Sequence, residues 1–348
     1  ISDALSFKSI TSYRELEYGT EIDLDGTPIN SFGIFYFSDQ NQTTQEFQLS
    51  YQNERLSAVG GLYYFNEEGT TFDGGVFANF LVALSGDSVF STDSYAAFGQ
   101  LDFDLNDKLT AIVGLRYTDE KKSYSRRAED FDLTALAGIM FDPVTFAVSY
   151  ANPELLNPGS ADLALDGGIG VPRVGANPPS ADFDNLSLKA GLKYQVSDDA
   201  QVFATISEGF KSGGFNGRVA DGQLDPYKEE TLTSVEIGAK SQWLENRLRV
   251  NGAVFYNSYD DMQVSSFEAD ATGMTFIPVF TNAGKATIKG AELEVTALLT
   301  DKLTLVGNVG YLDAEYDEFF AEPDPITGDV LDVGDQREVV NSPKWDTF

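Results

Sequence analysis

Between Tyr95 and Tyr117 apolar and polar positions alternate with a period of two. Tyr95, Ala97, Gly99, Leu101, Phe103 and Leu105 form one row, with Gln100, Asp102 and Asp104 on the other side. Asn106-Asp107-Lys108 turns the chain, and Leu109, Ala111, Val113, Leu115 and Tyr117 continue the apolar row, opposite Thr110, Gly114, Arg116 and Thr118. This pattern predicts a hairpin with one dry and one wet face. Each arm matches the ~9–11 residues of a tilted strand that crosses a bilayer. A Tyr stands at each end remote from the turn, where an interfacial aromatic girdle would lie. Phe98 and Ile112 break the pattern by falling on the polar side.

The same period recurs along the chain. A first strand is expected from Leu5 to about Tyr18, followed by an irregular polar stretch from Gly19 to Gln42. Phe47, Leu49 and Tyr51 descend to Asn53, and Leu56 to Tyr64 climb back, although Val59, Tyr63 and Phe65 make the second face of that strand apolar too. Glu67 to Thr92 and Asp119 to Asp184 read as long loops, with a short strand somewhere between Phe141 and Tyr150. Further hairpins are expected about Asp198-Asp199, Glu245-Asn246 and Asp301-Lys302, with loops from Gly209 to Lys228, Asp260 to Thr281 and Asp313 to Val340. The total is about eleven strands and the start of another. Tight turns alternate with long loops throughout, so all the tight turns share one rim. Outer-membrane barrels have this arrangement. A soluble β-sandwich also alternates apolar and polar positions, but does not sort its loops by length and has strands nearer ~5–6 residues.

Composition narrows the picture. No run of ~18 apolar residues occurs, which excludes a membrane-crossing helix and leaves a β-barrel open. The formal net charge of −32 argues against a nucleic-acid partner, whose phosphates require a basic surface. Cysteine and histidine are absent, so disulfides, Cys or His metal sites and Ser-His-Asp or Cys-His nucleophiles are excluded. The chain opens on Ile1-Ser2-Asp3-Ala4 without a basic, then apolar, leader, and stops in mid-pattern after Pro343. An internal fragment is therefore expected.

The stretch Glu208-Gly209-Phe210-Lys211-Ser212-Gly213-Gly214-Phe215-Asn216 resembles the TonB-dependent receptors of Gram-negative outer membranes. Ser234 to Lys240, Tyr95 to Tyr117, Gly290 to Val295 and Ser342-Pro343-Lys344-Trp345 are similar to stretches of that family in the expected order. The resemblance covers nearly the whole chain apart from the long loops. It implies an all-β fold: part of an antiparallel transmembrane β-barrel of the plugged, 22-stranded kind. Set against that pattern, the plug domain, the TonB box, the early strands and the closing strands are expected to lie outside this sequence. The remaining wall, residues 1–348, is expected as a curved open sheet or one closed artificially. The implied parent is an outer-membrane receptor for a scarce nutrient, most often a ferric siderophore. It would be energised by the TonB complex through the plug. A passive porin-like channel and a soluble β-rich binding or adhesion protein are the alternatives.

Candidate sites follow. Phe210, Lys211, Phe215, Asn216 and Arg218, with Arg126 and Arg127 from the longest loop, are candidates for the external ligand vestibule; the alternative is that the first group merely shapes a loop base, with Gly213-Gly214 supplying positive φ. Arg116, Lys189, Lys193, Glu236, Lys240, Arg249, Glu292 and Glu294 lie in the polar row. On the lipid face an Arg or Lys at the midplane would cost ~2–4 kcal/mol, so these charges belong inside. There they either hold the plug or are simply hydrated. The acidic stretch from Asp313 to Glu338 could attract cationic ligands or Ca²⁺, but shows no EF-hand spacing, and a solvated loop is the favoured reading. Nothing places two carboxylates about a shared cleft, so no enzymatic activity and no cofactor are expected.

Overall fold

The computed structural model describes residues 4–24, 26, 32–77, 82–132, 139–141, 148–150, 171–174, 180–216, 226–269, 276–282, 284–320, 331–339 and 342–347. The strands are, in order, β1 (Leu5–Asp23), β2 (Phe32–Gln52), β3 (Leu56–Phe77), β4 (Val82–Asn106), β5 (Leu109–Asp132), β6 (Ile139–Phe141), β7 (Val148–Tyr150), β8 (Val171–Val174), β9 (Ala181–Ser197), β10 (Ala200–Lys211), β11 (Gly214–Phe215), β12 (Pro226–Tyr227), β13 (Glu230–Trp243), β14 (Leu248–Asp260), β15 (Gln263–Ala269), β16 (Phe276–Asn282), β17 (Gly284–Thr300), β18 (Leu303–Phe319) and β19 (Trp345–Thr347). Among the described residues a 3-10 turn lies at Gly334–Gln336. A single antiparallel sheet runs β1-β2-β3-β4-β5-β9-β10-β13-β14-β17-β18-β19, and this path does not close on itself. The twelve strands match the expected number, with β19 as the start of the last: Trp345 pairs with Tyr311 and Thr347 with Val309.

Among the described residues no second layer covers the apolar row. Only Phe35, Ala96, Ala286, Phe319 and Val339 form a buried apolar set among the described residues, while Leu101, Val113 and Leu192 are 50 %, 56 % and 50 % exposed. A continuous apolar surface of this extent is not stable in water. It is covered by hydrocarbon, and the soluble sandwich is set aside. Tyr64 and Tyr95 meet on this outer face as a tilted pair with ring centroids 5.0 Å apart, two residues along from the rung where Tyr117 stands opposite Ala97. From Tyr95 to Leu105 a tilted strand spans roughly 25 Å, the height of the apolar band of an outer-membrane barrel.

The tight turns gather on one rim and have a local chemical cause. Asn53 Oδ1 accepts the N–H groups of Arg55 and Leu56 at 2.9 and 2.8 Å, and Asn106 Oδ1 those of Lys108 and Leu109 at 2.9 and 3.0 Å. Such side-chain acceptors imitate a backbone turn. Between β13 and β14 the chain instead turns through Leu244, Glu245 and Asn246, all at positive φ (56°, 57° and 64°).

The opposite rim departs from the sequence expectation. Glu67 to Thr92 is not a loop: β3 and β4 continue as a ladder through Gly69↔Phe90 and Asp73↔Gly86 up to Phe77↔Val82. Gly19 to Gln42 is likewise mostly strand, in β1 and β2, and Asp119 to Asp132 extends β5. Where one short strand was expected between Phe141 and Tyr150, β6 and β7 form a hairpin. Between Asp260 and Thr281 the ladder of β15 and β16 replaces a loop. The cause is the change of solvent. Above the tyrosine girdle both faces can meet water, so the outer row need not be apolar, while the backbone still pairs.

Candidate functional site

Cross-strand register puts the expected polar row on one face. Arg116 stands opposite Phe98 and Ser187, Lys189 opposite Gly114 and Ser207, and Lys193 opposite Thr110 and Phe203. Glu236, Lys240 and Arg249 follow on β13 and β14, opposite Phe255, Asn251 and Gln242 respectively. Glu292 and Glu294 on β17 stand opposite Ala253 and Asn251. This face turns away from the Leu101–Val113 row. Among the described residues no ion pair joins members of the row. Asn251 Nδ2 donates to Glu294 Oε2 at 3.4 Å, and Arg116 Nε to Thr118 Oγ1 at 3.2 Å.

Aromatic rings shape this inner surface. The Arg116 guanidinium carbon lies 5.5 and 5.7 Å from the Tyr63 and Phe98 ring centroids, and Lys240 Nζ lies 5.6 Å from that of Phe203. Cations over ring faces are favourable contacts. Beneath the rings are glycines: a Cβ on Gly61 would come 2.6 Å from Phe98 Cζ, and one on Gly238 2.5 Å from Phe203 Cζ. Phe98, which broke the polar pattern, therefore lies flat on the wall between Gly61 and Arg116. Ile112 stands opposite Gly191.

Above the girdle the inner face is more tightly built. Arg126 grips Asp73 with both terminal nitrogens, at 2.6 and 3.1 Å, and Nη1 also donates to Ser88 Oγ at 3.0 Å. Tyr124 Oη donates to the same Ser88 oxygen at 2.8 Å, and Ser88 is fully buried. Arg126, expected at the vestibule, is thus held in a buried fork–fork pair. The Arg127 backbone pairs with Asp87 and Val174. Arg218 lies outside the described residues.

The Gly209–Asn216 stretch folds onto this surface. Phe210 stands opposite Thr231, and Lys211, which closes β10, is exposed opposite Glu230. Lys122, paired with Glu120 at 3.1 Å, donates from Nζ to the Gly213 carbonyl at 2.8 Å. Phe215 stacks on Tyr124, 6.1 Å between centroids, and the Asn216 amide takes both the N–H and the C=O of Phe280, at 2.6 and 2.9 Å. Gly213 and Gly214 do not adopt positive φ; the positive-φ glycines among the described residues are Gly26 and Gly284. They are needed for close approach, since a Cβ on Gly213 would strike the Tyr227 carbonyl and the Phe183 ring. Sequence reasoning missed Asp73, Ser88, Gln263 and Asn282. Their partners lie distant in the chain, and nothing in the local pattern marks them.

The acidic stretch is partly ordered by its own backbone. Asp332 Oδ1 accepts the N–H groups of Phe319 and Gly334 at 2.9 and 3.0 Å, which holds its carboxyl below the ordinary value. Arg337 lies over the Phe319 ring, 4.7 Å from its centroid. Among the described residues no group of three acidic side chains is placed to hold a metal.

Comparison with known proteins identifies this wall. The family described as "TonB dependent receptor-like, beta-barrel" matches residues 2–346. The chain belongs to the TonB-dependent receptors. It is 29 % identical over 194 residues to the probable TonB-dependent receptor BfrD of Bordetella pertussis, a match covering 53 % of this chain and 24 % of that relative. It is 33 % identical over 109 residues to the pesticin receptor of Yersinia pestis, covering 31 % of this chain and 15 % of that one. Its fold resembles the ferric yersiniabactin uptake receptor FyuA of Yersinia pestis with a TM-score of 0.68 at 18 % identity, over 100 % of this chain and 44 % of that chain. This TonB-dependent receptor chain thus spans less than half of the receptor it resembles in structure. Its place is the outer membrane of a Gram-negative bacterium, and its family is one of receptors rather than enzymes.

Proposed function

We propose that residues 1–348 form part of the barrel wall of a nutrient-uptake receptor, whose inner face carries a plug and whose cargo is a ferric siderophore or a similar metal chelate. TonB, acting through that plug, supplies the energy. The observation that carries this reading is the inner row of Arg116, Lys189, Lys193, Lys240, Glu292 and Glu294. These charges face away from lipid and, among the described residues, have no charged partners of their own. A hydrated polar partner inside the wall would use them. The names of similar proteins, one a ferric yersiniabactin uptake receptor and another a probable TonB-dependent siderophore receptor, support a cargo of this kind.

The vestibule candidates take a narrower role. Phe210 and Lys211 sit at the top of β10, and the exposed Lys211 is the residue of this group best placed to meet an anionic chelate. Arg126, Phe215 and Asn216 hold the surroundings in shape.

The test is charge reversal at Arg116 and Lys240 in the full-length receptor, scored by uptake of iron chelates into cells grown without free iron. Losing charge-assisted contacts to a plug should reduce uptake about tenfold. Unchanged uptake with the plug still retained in purified receptor would overturn the plug-holding role. Diffusive uptake that persists without TonB would favour a passive channel.

A further inference from the structure

Two outer hairpins, β11–β12 and β15–β16, rise between β10 and β17, and their bases meet at amide side chains. Gln263 and Asn282 face each other across the first rung of the β15–β16 ladder. Gln263 Nε2 donates to the carbonyls of Ser212 and Lys228, both at 3.0 Å, and lies 3.4 Å from that of Lys211. Its own N–H donates to Glu230 Oε2 at 2.6 Å. Asn282 Nδ2 donates to the carbonyls of Asp261 and Lys228 at 2.8 and 3.0 Å, and its Oδ1 accepts the Lys228 N–H at 2.7 Å. These backbone groups stand where the ladders end and would otherwise be orphaned. Gln263 is 8 % exposed, and its bonds to these carbonyls are part-buried.

The first hairpin is also fixed to the wall. Lys122 holds the Gly213 carbonyl, and Phe215 lies on Tyr124, whose hydroxyl meets Ser88 beside the Arg126–Asp73 pair. A continuous line of contacts therefore runs from β16 through both hairpins to β5 and on to β3.

We propose that Gln263 and Asn282 are positioning residues that join the two outer hairpins into one mechanical body keyed to the inner face of β5. Displacing either hairpin displaces the other, because their connection is a set of shared side-chain amides rather than a flexible tether. The device is independent of the cargo and of the plug.

Native-state hydrogen exchange on the full-length receptor in detergent micelles tests this. Residues 211–216, 226–229 and 280–282 should exchange with one common protection and one denaturant dependence, as a single opening unit does. Gln263→Glu presents an oxygen to carbonyls that need a donor. It should speed exchange in all three segments about tenfold or more, leaving β9 and β13 unchanged. Asn282→Asp should do the same. Separate protection of the segments in the unaltered receptor, or loosening confined to residues 261–265 in Gln263→Glu, would overturn the proposal. If a variant does not insert into the membrane, the unaltered receptor decides the question on its own.

Discussion

Below Tyr95 and Tyr117 the β4–β5 pair shows an outer row of exposed apolar side chains and an inner row whose bonds join near neighbours, Gln100 to Asp102, Thr110 to Asp104 and Arg116 to Thr118; above them the balance shifts. There the inner positions Ser88, Tyr124 and Arg126 close on Asp73 in a buried network, while the outer row loses its apolar character. The two regions share strands, register and backbone hydrogen bonds. They differ in what covers them. Below the girdle, hydrocarbon stabilises the outer face and the lumen supplies whatever the inner face meets. Above it, water touches the outside, so the wall must be held by contacts among its own inward side chains.

The largest expected effect comes from breaking the upper network. Asp73→Ala leaves the Arg126 guanidinium, 11 % exposed, without its carboxylate. Loss of one partner of such a pair costs about 3–5 kcal/mol. Hydrogen exchange should quicken at residues 86–90 and 124–128 and stay constant at 97–103; equal loosening of both regions would make them one cooperative unit and end the comparison.

Next is the outer row below the girdle. Val113→Arg places a charge in hydrocarbon at a cost of about 2–4 kcal/mol, whereas Gln100→Arg, pointing inward, should stay within about 0.5 kcal/mol. Reversible unfolding from lipid vesicles measures both. Similar costs for the two would mean that the faces are wrongly assigned.

The smallest contrast lies in adjacent glycines of β3. Gly61→Ala drives a methyl against the Phe47 carbonyl and the Phe98 ring on the inner face, for about 1–3 kcal/mol. Gly60→Ala, outward with its nearest neighbour at 3.5 Å, should be close to neutral. Denaturant titration of the two variants compares them directly, and a more harmful Gly60→Ala would argue against the flat ring-on-glycine packing.

The amino-acid sequence by itself determined the membrane-level strands, their two faces, the rim of tight turns and the family. Each of these follows from a local or periodic constraint. Lipid demands an apolar residue at every second position, and an Asn or Ser before a turn satisfies neighbouring N–H groups. Only the tertiary structure decided how far β1 to β5 rise above the bilayer, because a strand wet on its outer face leaves no apolar row to read. It also decided what the Gly-Phe-Lys-Ser-Gly-Gly-Phe-Asn stretch does. Candidates such as Arg126 and Asn216 have residue types suited to a ligand. Their partners Asp73 and the Phe280 backbone lie more than 50 residues away in the chain, and packing alone brings them together.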